Sequence, residues 1–524
     1  MSRWSINSAT LWQSVTLVLF LVNITCTHGG KANIWQTLKL PDEHIPYFFN
    51  NNKDVKSLCE KDSKCPYKKY LKSNRCWGYE KDCQVKHRMS SPKCDGEARG
   101  WAKSKEEQVE MFWNAADYGI ITERQDELQY MCEPTSPDDS SFKCTKYARY
   151  CYGTNIYMDF SESKLKSSTS KFREDVFKQG QIGGHCKMYA DRLRSQGEHK
   201  SALQSWFAEV EHFTSLPFNP IKDKKCDIVL DKPTIVMKLD AGVNMFHHFC
   251  DYVNLYLSQH FNNTFSTDVN IIMWDTSGSG YGDLFSATWK AFTDHPVVHL
   301  NVYDGKKVCF RDLMFSFLPR MRYGLYYNMP LIPGCKKSSL MRSFSQQVLH
   351  RLNIPQEGPL LMDGLKMVDD YEVTLALYNW ELPFLHQLKI THNSDIFIGM
   401  HGAGLTHLLF QPDWAVIFEL YNCEDTECYK DLARLRGLHY LTWEKRDKLV
   451  QEDEKKVDTL AQEGVWPDGL QGHHPTLGAH AKFTNYAFDL KEFLRMVAKA
   501  ADLVRKSRSY KKAWAQRYGS KDEL

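Results

Sequence analysis

The uneven distribution of cysteines is the sequence feature that most constrains the fold. The chain has 524 residues and 16 cysteines, and nine of these lie between Cys59 and Cys186. In an oxidising compartment such a cluster predicts disulfides, although spacing alone does not reveal their pairing. Zinc sites need short paired spacings such as Cys-x-x-Cys, and the chain has none. If Cys26 leaves with a signal peptide, an odd number remains, so at least one thiol is free or bonded to a partner.

Both ends of the chain match targeting signals. Arg3 precedes an apolar run over residues 17–22, which predicts a secretory signal peptide, with an uncleaved signal anchor as the alternative. The run is shorter than the roughly 20 apolar residues that span a bilayer, so we expect no stable membrane insertion. The last four residues are Lys521, Asp522, Glu523 and Leu524. This tetrapeptide is bound by the KDEL receptor, so the chain is predicted to reside in the lumen of the endoplasmic reticulum.

Composition excludes one class of partner and allows a large core. The net charge is +3 with 25% charged residues, which gives no reason to expect nucleic acid as a partner. Hydrophobic residues make up 42% of the chain, enough to build a sizeable core. Asn262, followed by Asn263 and Thr264, is an acceptor for N-glycosylation, which fits an exposed lumenal loop.

Hydrophobic periodicity divides the chain into regions. In the cysteine-rich part, amphipathic helices are predicted at 104–116 and 200–213. Polar, mixed-charge residues 445–472 are predicted to form a surface insertion, and 493–504 a closing helix. The predicted regions are a signal peptide at 1–27, a cysteine-rich region at 28–225, a first Rossmann-like domain at 226–345, a second at 346–500, and a basic tail at 501–524.

Two β-α-β patterns define the fold class. The first places strands at 234–239 and 269–274 around a helix at 246–260. The second has strands at 373–377, 395–400 and 415–420, with helices at 383–391 and 405–410. We therefore expect an α/β protein with two doubly wound, parallel sheets that face a cleft. Ligands of such sheets bind at the carboxyl ends of the strands.

A glycine-rich turn gives the strongest local signal for a ligand. Residues His401, Gly402, Ala403 and Gly404 follow a buried strand and open a helix that contains Thr406. Such a turn exposes backbone N–H groups that favour a phosphate or diphosphate. Glu419 ends the next strand, where a carboxylate accepts hydrogen bonds from ribose hydroxyls. The alternatives are a tight structural turn and a capping glutamate.

A second candidate site lies at the start of the helix in the first β-α-β unit. His247 and Asp251 are four residues apart and therefore share one helix face. An imidazole held by a carboxylate is a candidate general base for a hydroxyl nucleophile. A metal pair would need further ligands, and a packed helix start is the structural alternative.

The chain resembles the glycosyltransferase 61 family at these motifs and beyond them. The matching segments are 247–251, 273–276, 318–324, 391–393, 395–410, 418–425 and 473–478. The resemblance implies a GT-B-like pair of Rossmann domains and UDP-GlcNAc as the donor substrate. It also implies inverting transfer of N-acetylglucosamine to Ser or Thr hydroxyls of folded EGF-like domains. Notch-type receptors and apical matrix proteins are the implied acceptor proteins.

The chain departs from the family pattern in two places. In relatives, an acidic residue stands two positions after the aspartate matched by Asp294, but here Asp294 and His295 are followed by Pro296. This motif is therefore degenerate, and no intact Asp-x-Asp pair supports a divalent metal. Relatives also carry a strand and two arginines in the region that is shortened here at 352–372, and no arginine occurs at 352–433. This loss favours the alternative of a catalytically impaired lumenal lectin or folding factor that binds EGF-like domains.

Overall fold

The computed structural model describes residues 34–519 apart from 91, 99–100, 199–200, 281, 322–323, 328, 330–331, 359–371 and 452–484. The predicted signal peptide and the retrieval tetrapeptide lie outside the described residues, as does most of the predicted insertion at 445–472. Among the described helices, each is too short or too polar to cross a lipid bilayer.

Helices surround the sheets on several sides. The α-helices are α1 Ile34–Leu38, α2 Ile45–Asn51, α3 Lys53–Lys61, α4 Lys105–Ala116, α5 Gly119–Asp126, α6 Ala190–Arg194, α7 Phe207–Val210, α8 Met245–Phe261, α9 Ser339–Arg351, α10 Phe384–His392, α11 Cys428–Arg436, α12 Leu490–Lys506 and α13 Arg508–Tyr518. Short 3-10 helices include Ser286–Ala291, Leu300–Tyr303 and Ala403–Phe410.

The strands form one large sheet and several small ones. They are β1 Lys93–Cys94, β2 Gln129–Glu133, β3 Ser141–Cys144, β4 Cys151–Asp159, β5 Ile182–Gly184, β6 Lys187–Met188, β7 Thr214–Ser215, β8 Ile228–Leu230, β9 Thr234–Met237, β10 Asn270–Met273, β11 Val298–His299, β12 Lys307–Phe315, β13 Cys335–Lys336, β14 Ile396–Gly399, β15 Val416–Glu419, β16 His439–Thr442, β17 Leu449–Gln451 and β18 Tyr486–Phe488. The expected mixed α/β architecture is therefore present.

The large sheet joins the cysteine-rich region to the first β-α-β unit. Its main order is β11-β10-β9-β12-β4-β3-β2-β6. Strands β9, β10, β11 and β12 run parallel, and β4 pairs with β12 in antiparallel fashion over almost its whole length. The predicted boundary at residue 225 therefore crosses one continuous sheet. Strands β9 and β10 pair in parallel because α8, which lies close to the predicted helix at 246–260, forms the crossover between them.

Six disulfides hold this half of the molecule. The pairs are Cys59–Cys65, Cys76–Cys83, Cys94–Cys335, Cys132–Cys186, Cys144–Cys151 and Cys226–Cys309. The bridge from Cys94 to Cys335 has a sequence separation of 241 residues. In the chain-entropy model it lowers the entropy of the unfolded chain and so stabilises the folded protein by on the order of 5 kcal/mol. The thiol of Cys250 is buried and lies outside these pairs, as the odd cysteine count predicts.

The second β-α-β unit is smaller. Strands β14, β15 and β16 form a parallel sheet in that order, and α10 and α12 agree closely with the predicted helices. The predicted strand at 373–377 is wrong, because Val373 and Leu375 are almost fully exposed and the segment has no ladder partner in the described chain. Alternating apolar residues form a strand only where a neighbouring strand binds their backbone.

The predicted helix at 200–213 is mostly wrong, since only α7 forms there. The ammonium of Lys238 donates to the carbonyl of Ala202 at 2.8 Å, and the N–H of Trp206 donates to the carbonyl of Ala148 at 2.8 Å. These long-range bonds replace the intrahelical bonds that the local pattern predicts, so tertiary contacts override helix propensity here.

Candidate active site

The first half of the site forms where β9 ends. Beyond Met237 the chain turns at Asp240, and α8 begins at Met245. The side chain of Asn244 caps this helix by accepting from the N–H of Phe246 at 3.0 Å. The turn and the first helical residues therefore lie at the carboxyl edge of the parallel strands, where doubly wound sheets bind ligands.

His247 forms an ion-pair network with Asp240 and Arg320. Its Nδ1 lies 2.8 Å from Oδ2 of Asp240, and Nε of Arg320 lies 2.7 Å from the same oxygen. Burial raises the pKa of Asp240, but the hydrogen bonds from His247 and Arg320 outweigh it, so the net pKa lies below its usual 3.8. The ionised carboxylate thus holds the Nδ1 proton, which leaves Nε2 of His247 as the proton acceptor.

The predicted His247–Asp251 pair does not form, because Asp251 has another partner. Its carboxylate accepts the backbone N–H of Asp240 at 3.2 Å, and the side chain is fully buried. Burial, aided by the charge of Asp240, raises the pKa of Asp251 well above its usual range. Asp251 therefore supports the turn that carries Asp240, and Asp240 replaces it as the carboxylate on the imidazole.

Sequence reasoning missed Asp240, although a signal for it existed. The pairing rule for helices considers only residues three or four apart, and Asp240 precedes α8 altogether. An aspartate directly after a buried strand is nevertheless at the edge where ligand-binding groups collect.

The neighbouring His248 is a structural residue. It is fully buried and stacks on Tyr252 with 4.4 Å between ring centroids. Burial lowers the pKa of His248 to about 3, so the imidazole stays neutral at physiological pH. It has no solvent access through which to take a proton from a substrate.

The second half of the site is the turn after β14. Nδ1 of His401 lies 2.7 Å from Oε1 of Glu419, and the hydroxyl of Tyr440 donates to Oε2 of the same carboxylate. Glu419 is fully buried at the end of β15. Both of its oxygens therefore have protein partners, and its direct effect is to orient His401; a ribose contact stays a prediction.

Gly402 and Gly404 leave space beside this turn. A Cβ built on either residue would meet no other atom within 4 Å, so packing within the protein does not require glycine here. Ala403 begins a 3-10 helix, Ala403–Phe410, where an α-helix from residue 405 is predicted. The open N–H groups and the empty volume suit a ligand that approaches the backbone closely.

The side chain of Thr406 does not face the ligand side of the turn, where the sequence predicts it. Its side chain is fully buried and lies beside the hydroxyls of Tyr326 and Tyr429. It therefore points into the protein and belongs to the packing under the turn.

Aromatic contacts join the two halves of the site. The ring of Tyr429 lies 5.2 Å from the ring of His401 and 5.9 Å from that of Phe246, which precedes His247. On the other side, the ring of His247 lies 5.4 Å from that of Tyr327. These ring contacts bring the imidazole network and the open turn close together, and the cleft between two β-α-β units stays a prediction.

The degenerate motif lies at the opposite edge of the large sheet. Asp294 bonds to Lys39 at 2.6 Å and to the hydroxyl of Thr267 at 2.6 Å. Since Thr267 precedes β10 and Pro296 precedes β11, the motif lies at the amino ends of the parallel strands. The carboxylate ties the N-terminal segment to the sheet, at the edge opposite His247.

His295 also has a structural partner at this edge. Its Nε2 lies 2.7 Å from Oδ1 of Asp268, and the ammonium of Lys232 lies 2.5 Å from the same oxygen. These three side chains form a partly exposed polar cluster before β9, β10 and β11, at the amino ends of the parallel strands.

Asn262 follows the last turn of α8 and is partly exposed. The neighbouring amide of Asn263 is bonded to Asn52 at 2.6 and 2.9 Å. Of the two adjacent asparagines, Asn262 is therefore the one left accessible at the surface, and its glycosylation stays a prediction.

Known proteins resemble the chain over almost its whole length, although no family model matches it. It is 53% identical over 495 residues to the EGF domain-specific O-linked N-acetylglucosamine transferase of Bos taurus, which covers 90% of each chain. The mouse protein of the same name is 53% identical over 501 residues, covering 91% of this chain and 92% of the relative. The Drosophila melanogaster protein of that name is 44% identical over 490 residues, covering 88% and 90%.

Proposed function

Because this chain belongs to the EGF domain-specific O-linked N-acetylglucosamine transferases, we propose that it transfers N-acetylglucosamine from UDP-GlcNAc to Ser or Thr hydroxyls of folded EGF-like domains. The observation that carries this proposal is the identity of 53% over 90% of both chains. A likeness of that extent spans both halves of the candidate site, and the contacts found there support the residue roles proposed below.

The acceptor is activated at His247. The hydroxyl proton passes to Nε2 of His247 while the hydroxyl oxygen forms a bond to the anomeric carbon of the sugar. The bond from that carbon to the diphosphate breaks on the opposite face, and UDP leaves with the electron pair. A single displacement of this kind inverts the anomeric configuration. Asp240 stabilises the imidazolium that forms, because its carboxylate lies 2.8 Å from Nδ1.

The donor is held at the turn after β14. The open backbone at Gly402 and Gly404 accommodates the diphosphate, and the N–H groups that begin the 3-10 helix donate to its oxygens. Glu419, whose carboxylate lies 2.7 Å from Nδ1 of His401, orients this imidazole beside the turn that holds the diphosphate. In this proposal the two β-α-β units act as a GT-B-like pair, with acceptor and donor on opposite walls of the cleft.

The proposed location of this reaction is the endoplasmic reticulum lumen, and the C-terminal tetrapeptide supports it. Residues 521–524 match the retrieval tetrapeptide, and the six disulfides fit an oxidising compartment. EGF-like domains close their own disulfides there, so folded acceptors are available. Notch-type receptors and apical matrix proteins are the proposed acceptor classes.

Mass measurement of a folded EGF repeat tests the proposal. The purified chain is incubated with the repeat and with UDP-GlcNAc, UDP-GalNAc, UDP-glucose or UDP-xylose in turn. We expect a gain of one N-acetylhexosamine from UDP-GlcNAc alone, and a reduced and unfolded repeat serves as the control for the folded substrate. Binding of the repeat without any mass gain would instead support the lumenal lectin. NMR of the product distinguishes β from α linkage and so tests inversion.

A further inference from the structure

Two exposed aliphatic side chains lie on loops at the same sheet edge as the candidate base. Val243 is 60% exposed and Leu284 is 56% exposed. Val243 belongs to the loop after β9, and Leu284 to the loop after β10. Both loops follow parallel, adjacent strands and so lie at the carboxyl edge of the sheet, the edge that carries Asp240 and His247.

The two loops are bonded to each other through their backbones. The N–H of Leu284 donates to the carbonyl of Gly242 at 3.2 Å. Asp283 accepts from the N–H of Phe285 at 2.8 Å and from the indole of Trp289 at 2.7 Å. Val243 and Leu284 are therefore held by backbone and buried polar contacts and do not depend on their own packing.

Val243 does not make the contact that its position normally supplies. It precedes the cap residue Asn244, and an apolar residue there commonly packs on the fourth helical residue. That residue is His248, which is already covered by Tyr252 and Phe285. The valine is consequently left at the surface one helical turn before His247.

We propose that Val243 and Leu284 form an acceptor-contact surface that binds an apolar patch of the folded EGF-like domain. The inference rests on the proposed function, since it places the acceptor hydroxyl at His247. Any polypeptide whose Ser or Thr reaches this imidazole must cover the loops that surround it. Exposed aliphatic side chains gain free energy when such a partner covers them.

The donor substrate is a poorer occupant of this surface. A nucleotide sugar presents hydroxyls, amides and phosphates, whose partners are polar groups such as those at His401 and Glu419. Val243 and Leu284 offer neither charge nor hydrogen bonds, so they suit a protein acceptor.

Serine substitutions at the two positions test the inference. For Val243→Ser and for Leu284→Ser, we expect the KM for a folded EGF repeat to rise about tenfold, and more for the double variant. The kcat at saturating repeat, the KM for UDP-GlcNAc, and the slow hydrolysis of UDP-GlcNAc without acceptor should stay at wild-type values. Leu494→Ser is the matched control, since Leu494 is 55% exposed on α12.

Direct binding of the repeat separates this inference from the proposed function. The dissociation constant is measured by titration with the folded repeat in the presence of UDP, and thermal melting checks that each variant is folded. An unchanged dissociation constant and KM for the repeat, or a rise in the KM for UDP-GlcNAc alone, would overturn the acceptor surface. If the wild-type chain binds the repeat but transfers no sugar, the proposed function fails while the titration still decides the surface.

Discussion

The two walls of the proposed cleft are built in different ways. On the first wall, β9 is buried along its whole length, and Asp240 is held by His247, Arg320 and the carboxyl of Asp251. On the second wall, β14 ends the described three-stranded sheet and is only half-buried. The turn that follows β14 borders empty space. Contacts within the protein therefore hold the candidate base in place, whereas the proposed donor turn keeps open backbone groups that a ligand would contact.

The largest effect is expected on the preorganised wall. His247→Ala should lower kcat for transfer by about 10²–10⁴, because a positioned base contributes that much to proton transfer. The dissociation constant for UDP should change little, since donor contacts lie on the other wall. Turnover of a folded EGF repeat and calorimetry with UDP measure the two quantities separately. Wild-type turnover in this variant would exclude His247 as the base.

A substitution on the donor wall should lower the affinity for UDP, which the His247 variant should leave almost unchanged. Gly404→Leu fills the space where a ligand would approach the backbone, so UDP affinity should fall at least about 100-fold. Because an added Cβ meets no atom within 4 Å, the free energy of unfolding should change by only about 0.5 kcal/mol. Gly404→Ala is the control with a smaller expected loss. Normal UDP binding by the leucine variant would refute the role of the turn.

Two neighbouring carboxyl groups on the first wall give the next test. Asp240→Asn should lower kcat about 10- to 100-fold, because the amide does not stabilise the imidazolium as a carboxylate does. Asp251→Asn should leave kcat almost unchanged, since its amide oxygen still accepts the N–H of Asp240 and the burial-raised pKa of the native carboxyl disfavours its charge. If Asp251→Asn lowered kcat more than Asp240→Asn, the His247–Asp251 pair predicted from the sequence would be right.

Both walls show what a local pattern can predict. The first β-α-β unit with α8, and the glycine turn between β14 and β15, follow from periodicity within about 20 residues and form as expected. Val373–Leu377 has the same alternation, but the sheet offers it no described partner strand. Alternation predicts what a strand would bury and does not predict whether a neighbour exists to pair with it.

The residues of the site depended on contacts that spacing does not encode. His247 was predicted from its helix, but its partner Asp240 lies before that helix, and Arg320 lies 73 residues further along the chain. Cysteine pairing could not be predicted for the same reason, as the bridge between Cys94 and Cys335 has a sequence separation of 241. Such contacts become visible only when the strands that carry them are placed side by side.

The smallest effect is expected far from both walls. Asp294→Asn removes the ion pair with Lys39 but keeps an oxygen that accepts from Thr267. Both charged side chains are more than a third exposed, so the pair contributes only about 0.5–1 kcal/mol to the free energy of unfolding. The melting temperature should therefore fall by no more than about 2 °C, with kcat and both KM values unchanged. A tenfold loss of kcat at an unchanged melting temperature would mean that this edge of the sheet communicates with the cleft, and the separation of structural and catalytic edges would be wrong.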